Sequence, residues 1–307
     1  MEERPATLGG LAAILLWSST ALLFSLSKEV PPILVLSLAN IFSFFILSTR
    51  WVWKKKNPLP YFTGNFPVLL WTMFGLGFQS LCFLYAVRWV PVGEATLINY
   101  LWPMLTVLTV SALPGHKFRP EYIIGGLIGL AGATIAVYKP ETLMPSFEAG
   151  HYIAFIGAAS WAFYSAGIRL LKRHPGDFTT AAFLCNSVLL FFLHVAVEPA
   201  WTFEWRLFWI IALLGTLSGI AYLLWDTAMK HGHAQIVSVA SNSMALLSTL
   251  YLIGFGEIPF SWTILLSALL IVAGTLIASL EKLRMVFTKR RSVLKSEAGA
   301  LADTDTS

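Results

Sequence analysis

The chain has 307 residues, 57% of them hydrophobic and only 12% charged, with a mean hydropathy of +0.71. Soluble domains carry about 25% charged residues, so a water-soluble globule is excluded and a chain that crosses a bilayer many times is indicated. The net charge of +5 does not point to nucleic acid, because the basic residues punctuate apolar runs instead of gathering beside stacking aromatics.

About 20 apolar residues of helix span the hydrocarbon core, and ten runs of that kind follow one another. The first, 7–27, begins within MEERPATLGG, which is not a basic leader, and reaches Lys28 without a small-residue cleavage site, so it reads as a span and not as a signal peptide. It carries Trp17, Ser18, Ser19 and Thr20 halfway along. The second is 33–53. The third, 66–88, places Phe78, Cys82 and Tyr85 on one face with Gln79 beside them. The fourth, 93–113, contains LINYLWPML, where Asn99 and Trp102 share a face and Pro103 frees the carbonyl one turn back and kinks the helix. Down the fifth, 120–138, run Gly125, Gly129 and Gly132. The sixth, 150–171, has Trp161 and Tyr164 three apart. After the seventh, 178–197, the eighth, 206–229, combines Gly215 and Gly219 with Tyr222, Trp225 and Asp226. The ninth, 234–254, carries Ser241, Asn242 and Ser243, and the tenth is 261–281. The glycines are expected to let helices approach closely. Cys82 and Cys185 fall inside apolar runs and suggest packing, not a disulfide framework.

Lys and Arg accumulate on the cytoplasmic side of membrane proteins. With the N-terminus inside, that side collects 17 of the 21 basic residues and leaves out only Lys28, Arg88, Lys139 and Arg206. Sliding the chain on itself by 142 residues superimposes Gly77 on Gly219, Leu81 on Leu223, Leu105 on Leu247 and Gly132 on Gly274; slightly larger offsets pair Trp17 with Trp161 and Asn40 with Asn186. Two units of five helices, an odd number, enter the membrane from opposite faces. The expected architecture is all-α, with ten transmembrane helices as two inverted repeats, 1–145 and 146–285, and a disordered cytoplasmic tail, 286–307. Inverted repeats place a binding site near the midplane and give two nearly equivalent arrangements, open to either side.

Polar groups at membrane depth face protein or a cavity. Trp and Tyr usually collect at the headgroups, a role that suits Trp51, Trp53, Trp89, Trp201, Trp205 and Trp209. Deeper rings and amides form the candidate substrate site: Trp17, Phe78, Gln79, Tyr85, Asn99, Tyr100, Trp102, Trp161, Tyr164, Trp225 and Asn242. Such a set suits a small molecule with an apolar or aromatic body and a polar head. There is no phosphate-cradling glycine loop, and no cofactor is expected. Glu94 and Asp226 are the acidic residues nearest the spans that could carry a proton, but both lie near helix ends, where topogenic or capping roles are favoured, and proton antiport and facilitated diffusion both stay open. Gly215-Thr216-Leu217-Ser218-Gly219 has the wrong spacing for a nucleophile elbow, His231 and His233 lack further metal ligands, and rings of pore charge are missing. A carrier is favoured over an enzyme, a metal site or a channel.

The early AILLWSSTALLFSL, the AVRWVPVGEATLINYLWPML junction and the closing LIVAGTLIAS resemble the drug/metabolite transporter superfamily in its EamA-type branch, over about residues 7–281. Within it, LINYLWPML is similar to the aromatic amino acid exporters of bacterial inner membranes. The resemblance implies export of Phe, Tyr, Trp and other neutral amino acids, with lipid as surroundings and no nucleic-acid partner; a monomer is expected. It maps a cavity onto Trp17, Tyr85, Asn99, Tyr100, Trp102, Trp161 and Tyr164. Two departures stand out: Trp102 precedes the proline where many members have another residue, and no buried Arg is evident to pair a substrate carboxylate. Export of another metabolite, and a channel-like facilitator, stay open at this point.

Overall fold

The computed structural model describes residues 3–111, 120–136, 138–139, 144–145, 147–170, 177–232, 237, 240–278 and 280; the tail expected at 286–307 lies outside them. Helix falls within each of the ten apolar runs. The first gives α1 (Glu3–Ser18) and α2 (Thr20–Leu26), the second α3 (Pro32–Trp53), and the third α5 (Phe66–Trp89), with a one-turn α4 (Pro60–Thr63) between them. The fourth gives α6 (Val92–Asn99) and α7 (Trp102–Ser111), and the fifth α8 (Pro120–Ala136). There follow α9 (Ala149–Leu170), α10 (Asp177–Val197) and α11 (Trp205–His231), then a 3-10 turn Ser241–Ser243 leading into α12 (Met244–Gly254), and α13 (Trp262–Ala278). The five stretches Arg4–Leu26, Pro32–Trp53, Phe66–Trp89, Asp177–Val197 and Trp205–Trp225 are each long and apolar enough to cross a membrane. A two-residue antiparallel ladder, Tyr138–Lys139 with Met144–Pro145, is the one addition to the all-α expectation among the described residues.

Local chemistry explains where helices break. Ser18, Ser19 and Thr20 turn their hydroxyls back onto the carbonyls of Ile14, Leu16 and Trp17, each at 2.7 Å. Such back-bonding competes with the helix ladder, and α1 stops there. Between α6 and α7, the Tyr100 N–H bonds Thr96 O and the Leu101 N–H reaches only Ile98 O; two residues on, Pro103 has no N–H to give. The ninth run breaks in the same register, because Ser241 and Met244 stand 142 residues after Asn99 and Trp102.

The helices pack α1 on α11, α3 on α10 and α11, α5 on α9, and α8 on α13. Glycine sets the closest of these approaches. A Cβ on Gly215 would run into the Ala39 carbonyl of α3, one on Gly219 would lie 3.1 Å from Ser43 Cα, and one on Gly132 would lie 2.9 Å from Ser267 O. A Cβ on Gly274 would lie 2.5 Å from Gly125 O and 2.7 Å from Gly129 N, so only glycine lets these two backbones come this close. Reciprocal hydrogen bonds join α3 to α10, with Ser37 Oγ donating to Ser187 O (2.8 Å) and Ser187 Oγ to Ser37 O (2.9 Å).

Both ends of the bundle carry ties between its two halves. At the Lys56 end, Lys56 pairs with Asp177, and this hydrogen bond raises the Lys56 pKa above its usual 10.5. At the Lys28 end, Glu198 accepts the N–H groups of Ile33 (2.9 Å) and Leu34 (3.2 Å). These belong to the first turn of α3, which has no helical acceptors of its own, and His194 Nδ1 lies 2.8 Å from the same carboxylate. The Glu148 N–H donates to His151 Nδ1 (2.8 Å), so the His151 proton sits on Nε2 and is given to Glu94, 2.7 Å away. Glu94, read as a possible proton carrier, thus also clamps α6 to α9. Ser25 bonds Glu257, and Arg88 bonds the carbonyls of Leu84 and Val30.

Large apolar side chains cover the outside, among them Phe192, Val195, Trp205, Trp209 and Trp262, as lipid contact requires. Trp51 departs from its expected anchoring role. It is buried and stacks on Tyr61 with a ring separation of 5.9 Å, because α4 folds back over it. Cys82 and Cys185 are free thiols.

Candidate functional site

A cavity of about 320 Å³ lies among the helices, within the size range of small-molecule sites. Its wall follows from helical periodicity. The first run contributes Trp17, Thr20, Ala21 and Phe24, α3 contributes Leu36, Ala39, Asn40 and Ser43, and α5 contributes Leu76, Gln79, Ser80 and Phe83. Each set has the i, i+3, i+4, i+7 spacing of one helix face. From α11 come Leu214, Ser218, Tyr222 and Trp225, from α9 Trp161 and Ser165, and from α10 Phe183. The two broken helices bring Asn99, Tyr100 and Trp102 on one side and Ser241 and Met244 on the other.

The rings form two groups that cross the boundary between the halves. Trp17 meets Tyr222 edge-on at 4.9 Å and Trp225 at 5.3 Å, while Trp102 meets Trp161 edge-on at 6.2 Å. Phe24 and Phe83, 5.7 Å apart, lie toward the Lys28 end. The polar groups are uncharged. Gln79 Nε2 donates to Asn99 Oδ1 (3.0 Å), which commits the Asn99 oxygen and leaves Asn99 its amide donors. No Asp, Glu, Lys, Arg or His lines the cavity among the described residues. Arg88 is spent on backbone carbonyls outside the wall. The arrangement offers stacking surface and neutral donors and acceptors, with no group positioned as a nucleophile or base among the described residues.

Of the residues singled out from sequence, Trp17, Gln79, Asn99, Tyr100, Trp102, Trp161 and Trp225 meet at this cavity. Phe78 does not. It is 41% exposed and stacks on Phe74, because one step along α5 from Gln79 turns a side chain about 100° off the cavity face. Tyr85 leans on Trp89 at 6.1 Å, two positions past the end of the α5 stripe. Tyr164 is buried behind the wall, where its ring fills the notch at Gly75 and its carbonyl accepts from Trp71 Nε1 at 3.2 Å. The side chains of Asn242 and Pro103, like that of Asp226, lie outside the described residues. Asn40, Phe24, Phe83 and Phe183 went unselected. The signal for Asn40 was present, as an amide at mid-helix depth; the phenylalanines are indistinguishable by sequence from lipid-facing ones.

The model of the EamA-like transporter family matches this chain twice, over residues 4–138 and 148–280. The aromatic amino acid exporter YddG of Ancylobacter novellus is 31% identical over 284 residues, 91% of this chain and 99% of that protein. The protein of the same name from Escherichia coli K12 is 25% identical over 297 residues, 92% and 100% of the two chains. A solved crystal structure matches with a TM-score of 0.70 at 31% identity, over 91% of this chain and 98% of that one. These relatives are named as exporters and not as enzymes, and the chain belongs to the EamA-like transporter family.

Proposed function

We propose that this protein exports aromatic amino acids, and other neutral ones, across a bacterial inner membrane by alternating access. The observation that carries the reading is the chamber itself: indole and phenol rings from both halves surround uncharged amides and hydroxyls at mid-helix depth. Rings supply stacking and burial for an aromatic body, and the amides orient a polar head. The two relatives named as aromatic amino acid exporters align over nearly their whole length and support the same substrate class.

In this reading ten spans form two inverted units, 1–145 and 146–285, with both termini and the 286–307 tail cytoplasmic, and the chain works as a monomer. The pattern of helix contacts supports an exchange of units. The first run packs on the eighth as the sixth packs on the third, while the second with the seventh and the fifth with the tenth are self-reciprocal pairs. Trp17, Gln79, Asn99, Tyr100, Trp102, Trp161 and Trp225 contact the substrate, and Pro103 bends the fourth helix toward it. Tyr164 stands behind the wall and supports it from there, while Phe78 and Tyr85 stand away from it.

The test is counterflow of a labelled amino acid panel in proteoliposomes, with and without a pH gradient. Labelled tryptophan or phenylalanine is expected to enter faster when the vesicles are preloaded with unlabelled substrate. Flux without saturation or trans-stimulation would instead indicate a channel, and stimulation by unrelated metabolites alone would move the protein to another exporter class.

A further inference from the structure

Asn40 stands on α3 in the chamber wall, 3% exposed, and its amide nitrogen has no acceptor. Buried amides nearly always find a partner, and an orphaned one weighs against the empty protein. The repeat supplies the control. Asn186, which pairs with Asn40, is also buried, but its Nδ2 donates to the Met73 carbonyl of α5 at 3.0 Å. The 142-residue register places Gly215 of α11 opposite Met73. That carbonyl is already occupied, because Ser43 Oγ donates to Gly215 O at 2.8 Å. One amide is thus a strut between helices, and the other, on a residue of the chamber wall, keeps its nitrogen buried without a strut.

We propose that Asn40 reads the head group of the passenger, its buried amide turning toward the chamber so that the N–H donates to the substrate carboxylate. The inference rests on the amino acid reading above and adds the residue that sets head-group selectivity. With no cation in the described wall, a neutral donor is what the chamber offers a carboxylate. A hydrogen bond to a charged acceptor is stronger than one between neutral groups. Passengers that keep the aromatic body but lack the carboxylate lose this contact, so tryptophan is favoured over tryptamine.

Binding of tryptophan and of tryptamine to the purified full chain, measured beside thermal stability, tests this. Asn40→Leu removes an unpaired donor, so its melting temperature is expected to be unchanged or higher. Its Kd for tryptophan should rise about ten-fold while its Kd for tryptamine stays at the native value. Asn40→Asp places a carboxylate against a carboxylate, so tryptophan binding should fall further while tryptamine binding is kept or improved. Asn186→Leu should show the reverse pattern, with a lower melting temperature and native tryptophan affinity. The proposal is overturned if Asn40→Leu binds tryptophan as the native protein does, if both ligands weaken in equal proportion, or if neither Asn40 variant folds, since the amide would then be structural. Native protein that binds no aromatic amino acid overturns this inference and the proposed function together; native binding with an indifferent Asn40 overturns this inference alone.

Discussion

The first helix of each half carries the same tryptophan in a different frame. Trp17 ends a helix that breaks at Ser19, whereas Trp161 sits inside the unbroken 22 residues of α9. The difference lies in the spacing of hydroxyls. Three consecutive ones, Ser18, Ser19 and Thr20, all fold back onto the backbone, while α9 spreads Ser160 and Ser165 to either side of Trp161. The fourth helix of each half, by contrast, breaks in the same register, at Tyr100–Leu101 and at Ser241–Ser243. Features common to both halves build the chamber, and features confined to one of them give it a distinct wall on each side.

The largest expected effect breaks what the halves share. Gly215→Ala drives a methyl into the Ala39 carbonyl, which is backbone and cannot swing away; a loss of about 3 kcal/mol is expected. Gly219→Ala, whose nearest new contacts are 3.0–3.1 Å, should lose about 1 kcal/mol. Denaturation midpoints in detergent check the order; equal losses would mean that α11 and α3 are not held by this contact.

Next come the rings. Trp102→Ala and Trp161→Ala should each lower kcat/KM for tryptophan about ten-fold with normal membrane insertion, whereas Phe78→Leu, on the outer stack with Phe74, leaves transport unchanged. Proteoliposome kinetics decide this; normal flux in both tryptophan variants would count against the chamber as the substrate site.

A smaller effect sharpens the contrast between broken and continuous first helices. Ser18→Ala with Ser19→Ala removes two of the three back-bonds, and should raise stability by roughly 0.5 kcal/mol. If the break acts as a hinge, kcat falls while KM holds.

The smallest effect concerns the Lys56 end. The bond to Asp177 raises the Lys56 pKa, so its stabilising contribution is complete below the ordinary 10.5 and is lost as pH climbs through the raised value. Lys56 is 37% exposed, which limits the contribution to within about 1 kcal/mol after screening. Melting curves of native protein and Lys56→Met should converge at high pH; a constant gap between them would assign the effect to another group, such as the nearby Tyr61, whose pKa burial also raises.

Hydropathy and helix length made the helical runs legible, since nothing but lipid exposure requires so many long apolar segments. The break at LINYLWPML was legible too, because a proline in a helix removes a named hydrogen bond. Facing was harder. Phe78 and Gln79 are adjacent, and choosing between them requires the phase of α5 against its neighbours, which an all-round apolar helix does not reveal. Tyr164 matches Trp161 in spacing, yet Gly75 on another helix offers it a notch, a long-range fact no local pattern contains. The ties of Glu198 and Glu257 depend on contacts far apart in sequence and were equally hidden.

The bond from Ser43 to the Gly215 carbonyl sets the fate of the neighbouring Asn40 amide. The two asparagines that the repeat pairs differ in partner because the Ser43 hydroxyl already holds the Gly215 oxygen. Losing that hydroxyl would free the Gly215 oxygen for Asn40, so a single substitution would give both amides equivalent partners without any rebuilding of the bundle.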